Sequence, residues 1–386
     1  MFTHTVTSAS RDPVRLLCVA DVPREDRAHR SNRWSSAVRR GEMLRLAHGV
    51  YIEPGHWLSA PSWDRHLMAL GAMAAAASPL FCRGSALALW GVPLLRTPGE
   101  ITVRETRRGR VGRRRAGPLT GTADAAVVAR LLADHQELAG ARGRPLSGRD
   151  LQPIPLRRLG AALPEGVGRE DLQVRVRRGE HAVPREPLGL GVHPWLQGGP
   201  ESADVEPLAF AVLDTVAESS LAEAAVILDA VLAGRITSER TLALDDFVEW
   251  EPYLRTHRRR ARWARAVEFA DPAAESPGES AVRALIRELG FHAPELQREV
   301  VLPDGRRVRV DFAWEGVVAE FDGMVKYWRS QELSGVSPME ALEAEKHRED
   351  GLRALGLGVA RIIWEDILRP ERLRRKLLQA GVPRAR

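Results

Sequence analysis

Arg307-Val308-Arg309-Val310-Asp311-Phe312-Ala313-Trp314, then Glu315-Gly316, then Val317-Val318-Ala319-Glu320-Phe321-Asp322 reads as a strand, a tight turn and a returning strand. Closed symmetrically, this hairpin pairs Trp314 with Val317, Asp311 with Glu320 and Arg309 with Asp322. Side chains alternate along a strand, so the four charged residues Arg309, Asp311, Glu320 and Asp322 are expected on one face. Directly opposed side chains have Cβ atoms roughly 4.5–5.5 Å apart, and like charges there destabilise. A sequence selected only to fold avoids Asp311 facing Glu320. A Mg²⁺ site wants that pair, because a hard cation takes oxygen ligands and is usually bound through one or two carboxylates.

The flanking sequence supplies the rest of a domain. Ser276 is a good N-cap, Pro277 suits the first helical position and Glu279 falls at the capping-box position, so a helix runs from here to about Leu289. Its buried face is Val282, Leu285, Ile286 and Leu289. Glu279 has two readings at this stage: a cap, or an extra acid pointing into the site. A strand over Gln297–Leu302 turns at Pro303-Asp304-Gly305 into the acidic hairpin. After Gly323 and a segment carrying Lys326, Ser337-Pro338-Met339-Glu340 starts another helix with a second capping box. That helix carries Glu345-Lys346-His347-Arg348-Glu349-Asp350 and ends at Gly356. Leu357–Ile363 is a last apolar strand, and a basic helix from Pro370 to Ala380 closes the domain.

The order helix, three strands, helix, strand, helix resembles the core of PD-(D/E)XK nucleases. Within that restriction-endonuclease-like fold, the region from about 271 to 386 resembles the very-short-patch-repair-like endonucleases. The matching residues are Glu279, Val310-Asp311, Glu320-Phe321-Asp322-Gly323, Lys326 and the Glu345-Lys346-x-Arg348-Glu349-Asp350 helix. The resemblance implies metal-dependent hydrolysis of DNA phosphodiesters, with Mg²⁺ or Mn²⁺ as cofactor. Asp311 and Glu320 are the expected metal ligands, helped by Asp322 or Glu279. Lys326 or Lys346 is the expected cation for charge on the phosphoryl oxygens. Arg348 and Arg361 are expected on neighbouring phosphates. One position departs from the family: Asp322 stands where the motif has its lysine, so that role passes to Lys326 or Lys346, or the domain binds DNA without cutting it.

At the other end, Arg33–Arg40 reads as a short basic helix, stopped by Gly41, with strands at Met43–Leu46 and Val50–Ile52. Arg39-Arg40-Gly41-Glu42, Arg45 and Gly49-Val50-Tyr51 resemble the N-terminal winged-helix domain of AbiEi-type antitoxins, which implies DNA contacts from Arg39, Arg40 and Arg45. The polar stretch Pro23–Asn32 departs from that pattern. Arg104–Arg115 holds seven arginines, read either as a solvated loop or as a phosphate-binding arm, with the loop favoured because no aromatic is interleaved. Residues 207–234 are helical by period. Arg255–Arg265 is expected to be an exposed connecting helix.

The 386 residues carry a net charge of +6, which favours polyanion partners. Only three of the 57 basic residues are lysine, and two of those, Lys326 and Lys346, lie beside the acidic hairpin. Cys18 and Cys82 provide no disulfide framework, so a cytoplasmic setting is expected. No apolar run approaches the roughly 20 residues of a bilayer span, and the N-terminus carries no secretory pattern. The expected fold class is α/β multidomain. It comprises a winged-helix-like region over 1–60, a mixed α/β and helical middle over 61–270, and a restriction-endonuclease-like αβββαβ domain over 271–386. Three functions stand: a Mg²⁺-dependent DNA endonuclease; a non-catalytic DNA-binding regulator of a toxin–antitoxin system, with a cognate toxin or other defence protein as partner; or an interaction protein whose basic face meets an acidic partner.

Overall fold

Gly316 takes a left-handed φ of 72°, which glycine adopts without steric cost, and the hairpin closes with Trp314 opposite Val317 and Phe312 opposite Ala319. The computed structural model describes residues 14–105, 107–114, 116–138, 144–160, 174–177, 196–197, 202–236, 241–323 and 338–385. Short strands β1 (Val14–Arg15) and β2 (Leu17–Cys18) precede helix α1 (Arg27–Arg40) and the hairpin β3 (Leu44–Ala47) and β4 (Val50–Ile52). Then come α2 (Pro54–Ser59), α3 (Ser62–Ala77), β5 (Leu80–Phe81), α4 (Arg83–Leu89), β6 (Ile101–Glu105), β7 (Gly112–Arg114) and α5 (Ala125–Asp134). Strands β8 (Leu156–Gly160), β9 (Val174–Arg177), β10 (Leu196–Gln197) and β11 (Ser202–Val205) lead into α6 (Leu208–Val216), α7 (Leu221–Leu232), α8 (His257–Phe269) and α9 (Pro277–Glu288). The last elements are β12 (Glu295–Val301), β13 (Arg307–Trp314), β14 (Val317–Asp322), α10 (Pro338–Ala354), β15 (Gly358–Ile363), α11 (Trp364–Leu368) and α12 (Pro370–Ala380).

The described architecture is mixed α/β. A three-stranded sheet has the order β2-β4-β3, and a six-stranded sheet the order β7-β8-β6-β5-β11-β9. The C-terminal sheet has the order β12-β13-β14-β15. It is antiparallel except for the parallel pair β14–β15, whose connection contains α10. The helix expected at Arg33 begins earlier, at Arg27; its only buried residues are Ala37 and Val38, so no apolar period marks its first turns in the sequence. Arg27 holds that start by donating to the carbonyls of Val22 and Ala20 at 3.0 and 2.8 Å.

One hydrophobic cluster runs from Leu16 to Ala266, so the 1–60 and 61–270 segments share a core. A second cluster packs α9, α11 and α12 on one face of the C-terminal sheet, through Ile286, Phe312, Ala319, Phe321, Ile362 and Leu377. A third lies on the opposite face, through Leu302, Val310, Ala313, Val318 and Leu352 of α10.

Gly278 sets how closely α9 approaches the sheet. A Cβ at that position would lie 2.0 Å from Cε1 of Phe321, a ring buried against the edge of Trp364 at 5.1 Å. Gly278→Ala is expected to destabilise the protein by about 3 kcal/mol, the upper end for overpacking a core, read as a lower midpoint in urea.

Candidate functional site

Asp311 lies where the regular pattern of the C-terminal sheet breaks. The β13–β14 ladder stops at Phe312 and Ala319, so Asp311–Glu320 and Arg309–Asp322 are not the ladder pairs expected from symmetric closure. The Asp311 carboxylate instead accepts the backbone N–H of Phe321 at 2.8 Å. On the other side, β12 and β13 pair from Glu295–Ala313 to Val301–Arg307, and the one missing partnership is Gln297–Asp311. Gln297 itself has a left-handed φ of 53°. The face also changes here. Val308 and Val310 pack with the Leu302–Leu352 cluster, whereas Phe312 and Trp314 pack with the α9 cluster. Strict alternation would put all four on one side.

This break brings Asp311 to the N-terminus of α9. Gln297 Nε2 donates to Glu279 Oε2 at 2.7 Å and reaches Asp311 Oδ1 at 3.5 Å. The cap reading of Glu279 is realised: it accepts from the Ser276 hydroxyl at 2.7 Å and from the Glu275 N–H at 2.9 Å, while its own N–H donates to Ser276 Oγ. It is also only 7 % exposed; burial, and then the charge of Asp311, push its carboxyl up to about 7. The segment entering α9 is fixed by the buried Asp229 of α7. Asp229 takes two hydrogen bonds from Arg283, at 2.9 and 3.0 Å, and the N–H of Asp271 at 2.8 Å. The Arg283 guanidinium also stacks over Phe269, 4.0 Å from the ring centre.

Glu320 and Asp322 lie on the opposite face, the side of α10, since they alternate with the inward Val317, Ala319 and Phe321. Glu320 is ion-paired with Arg348, which also donates to the Arg309 carbonyl. Arg361 donates to Glu349 at 2.9 Å and approaches Asp322 at 4.0 Å. Both arginines expected on phosphates are therefore engaged by carboxylates. Arg309 pairs with Glu275 at 2.7 Å rather than with Asp322. Lys346 is exposed on α10. Lys326 lies outside the described residues. Lys376, the third lysine of the chain, is a structural cation: it donates to Asp366 at 2.6 Å and to the Arg361 carbonyl at 2.8 Å.

Among the described residues, no three His, Cys, Asp or Glu side chains form a group that could hold a metal ion. The donor chemistry of the Glu279–Asp311 pair nevertheless fits a divalent cation. Two carboxylates share one amide donor, one of them resists ionisation, and Mg²⁺ takes one or two protein carboxylates with water and phosphate completing its shell. Gln297 was missed in the sequence; its signal was a polar amide in register with Asp311 across the β12–β13 turn.

Glu279 also predicts a pH dependence without added metal. A carboxyl whose folded pKa lies above its unfolded value near 4.5 binds more protons in the folded state. Stability should therefore fall as pH rises from about 4.5 to about 7. Buried Glu206, likewise pushed up to about 7 by burial despite Arg104, contributes in the same direction. Thermal unfolding of wild type and Glu279→Gln across this range isolates the part due to Glu279. Equal slopes would show that Glu279 does not titrate there.

The N-terminal basic residues are on the surface. Arg39 and Arg40 end α1 and Arg45 lies on β3, all exposed. Arg40 is paired with Glu42 at 2.6 Å. The outer edge of β3 is capped where the Arg45 N–H donates to the Leu119 carbonyl at 2.8 Å. Arg104 departs from both readings of the Arg104–Arg115 run. Its side chain is only 9 % exposed, donating to Glu206 at 3.1 Å and to Asp214 at 2.9 Å, while Arg107, Arg108, Arg110, Arg113 and Arg114 are exposed. The helix expected to be a merely exposed connector, α8, buries Trp263 and Ala266. Neither cysteine forms a disulfide and both are buried, and no helix among the described residues is long and apolar enough to cross a membrane. No protein-family model, no curated protein and no solved structure matches this chain.

Proposed function

We propose that the chain is a divalent-metal-dependent DNA endonuclease with a restriction-endonuclease-like C-terminal domain and an N-terminal DNA-binding module of winged-helix type. The observation that carries the reading is the meeting of Glu279 and Asp311 at an interrupted sheet position, with Gln297 between them. Two like charges in a mostly buried place cost folding energy, and a cation would offset that cost.

When bound, Mg²⁺ would supply Lewis-acid polarisation of the scissile phosphate and a lowered pKa for water. The chain's own part is to orient that chemistry. Asp311, fixed by the Phe321 N–H, and Glu279, fixed by Ser276 and Gln297, are the holding carboxylates. Glu320 and Asp322 stand on the adjoining strand, where Arg348 and Arg361 balance their charge. Lys326 or Lys346 is the proposed cation for charge developing on the phosphoryl oxygens. Arg39, Arg40 and Arg45 would grip the DNA backbone, contributing affinity that weakens with salt.

The pairing of Glu320 with Arg348, rather than with Asp311, favours a second reading, in which the domain binds DNA without cutting it and the chain is a regulator of toxin–antitoxin type. Incubating supercoiled plasmid with the protein and Mg²⁺ or Mn²⁺ separates the two. Nicking or linearisation that EDTA abolishes supports the nuclease. DNA retardation without cleavage, across double- and single-stranded substrates, supports the regulator.

A further inference from the structure

We infer that Gln297 is a positioning residue whose side-chain amide holds the Glu279 and Asp311 carboxylates at one cation site, and that its left-handed backbone exists to aim that amide. The inference rests on the nuclease reading for its biological meaning, but it concerns the cation site itself.

Three independent features converge on Gln297. It is one of three non-glycine residues with positive φ among those described, and the only one inside a strand. A glutamine in that conformation is strained, and such strain persists where the surroundings over-determine it. It occupies the one unpaired step of an otherwise continuous ladder, directly in register with Asp311. Its Nε2 donates to Glu279 on a different element and lies at the limit of hydrogen bonding to Asp311.

The local folding chemistry explains why this costs a ladder pair. Leu296 packs with the α9 cluster and Val300 with the α10 cluster, although an even spacing should place them on the same face. The left-handed residue between them reverses the phase of β12. The matching reversal in β13 falls at Asp311. The two strands therefore turn over together, and the turnover directs the amide of one and the carboxylate of the other toward the start of α9. Without the Gln297 donor, two carboxylates would face each other with no shared hydrogen bond, and partners of this kind orient the groups that hold a metal.

The test uses the full chain and Mn²⁺ as probe, with free Mn²⁺ followed by electron paramagnetic resonance and the metal-free Tm measured in parallel. Gln297→Met keeps the length and removes the donor. Gln297→Gly removes the donor and releases the backbone. Wild type should bind Mn²⁺ in a manner that Asp311→Ala eliminates. Both Gln297 variants should bind about 10–100-fold more weakly, the usual loss for an outer-shell partner. The metal-free Tm of Gln297→Gly should exceed that of Gln297→Met, because both lose the donor and only glycine adopts the left-handed backbone without cost. Wild-type affinity in either folded variant overturns the inference, as does wild-type binding that Asp311→Ala leaves intact. Mn²⁺ binding that depends on Gln297 in a protein that never cleaves DNA would uphold the positioning role and remove the nuclease reading instead.

Discussion

Asp311→Ala should abolish Mg²⁺-dependent DNA cleavage, lowering its rate by roughly 10³-fold or more, with the fold and DNA affinity retained. The magnitude is that of losing a preorganised electrostatic contact to developing charge, about 10²–10³-fold for a single donor, with loss of a cation ligand added to it. Asp311 is the residue for this test because its carboxylate both accepts the Phe321 N–H and adjoins Gln297. Glu279→Gln should cost nearly as much. It keeps the side-chain length, but it replaces an acceptor of three described donors, Ser276 Oγ, Glu275 N and Gln297 Nε2, with a group that accepts at one atom only. Glu320→Gln distinguishes the carboxylates further: if Arg348 only neutralises Glu320 in the protein without metal, this variant should also lose activity. If Glu320 serves only to anchor Arg348, activity should persist with a reduced Tm. The readout is plasmid nicking at matched protein concentration, with gel retardation in EDTA as the binding control. Cleavage by Asp311→Ala at the wild-type rate would dismiss the Glu279–Asp311 centre as the place of chemistry.

The element order of the C-terminal region was legible because its signals are local. Ser276, Pro277 and Glu279 spell a helix start whose hydrogen bonds are present. Glu315-Gly316 sets the hairpin register as far as Phe312–Ala319. The helix from Pro370 to Ala380 falls where its apolar spacing and proline place it. The site was less legible because its geometry depends on a departure from period two. Alternation through Asp311 predicts that Asp311, Glu320 and Asp322 share a face, and the phase change removes Asp311 from that face. No residue type at 297 announces a left-handed backbone, since glutamine rarely adopts it. Ion pairing was similarly hidden. Arg348 and Arg361 look like phosphate ligands in a basic sequence, and only the packing of α10 and β15 on β14 gives them carboxylate partners.

The same limit applies upstream, where charge density read from sequence misplaces individual arginines. Arg104 belongs to a run of seven, yet it projects from the face of β6 opposite Val103 and reaches Glu206, just past the end of β11 and across β5 in the same sheet. Arg107, Arg108, Arg110, Arg113 and Arg114 lie at the surface, where a polyanion is a natural counterion. A linear cluster thus divides into a structural residue and a solvent-facing group, and only the latter belongs to arguments about DNA.

Asp214→Ala is expected to be the most destabilising single substitution upstream of the C-terminal region, by about 3–5 kcal/mol, the range for removing one partner of a buried ion pair. The Asp214 carboxylate, 3 % exposed, accepts Arg83 Nε at 2.7 Å and Arg104 Nη2 at 2.9 Å, and pairs also with Arg259. These arginines come from α4, β6 and α8, so one carboxylate of α6 ties three elements together. Deleting it leaves Arg104 with Glu206, and Arg83 and Arg259 with only the half-exposed Glu218, so their charge is incompletely balanced. The three arginines outweigh the cost of burial and hold the Asp214 carboxyl far below the usual carboxylate range. Its depressed folded pKa means that its contribution is present above the unfolded value near 3.9. That contribution is lost as pH falls through the folded value. The gap between wild type and Asp214→Ala should therefore be widest at pH 6–8, where it amounts to a Tm difference on the order of 10 °C. It should narrow below about pH 4, where the unfolded chain gains a proton that the folded one refuses. Asp214→Asn separates charge from hydrogen bonding: it keeps an acceptor for one arginine but not the charge that balances three, so it should recover less than half of the loss. A Tm for Asp214→Asn equal to that of wild type would show that geometry rather than charge holds these elements together.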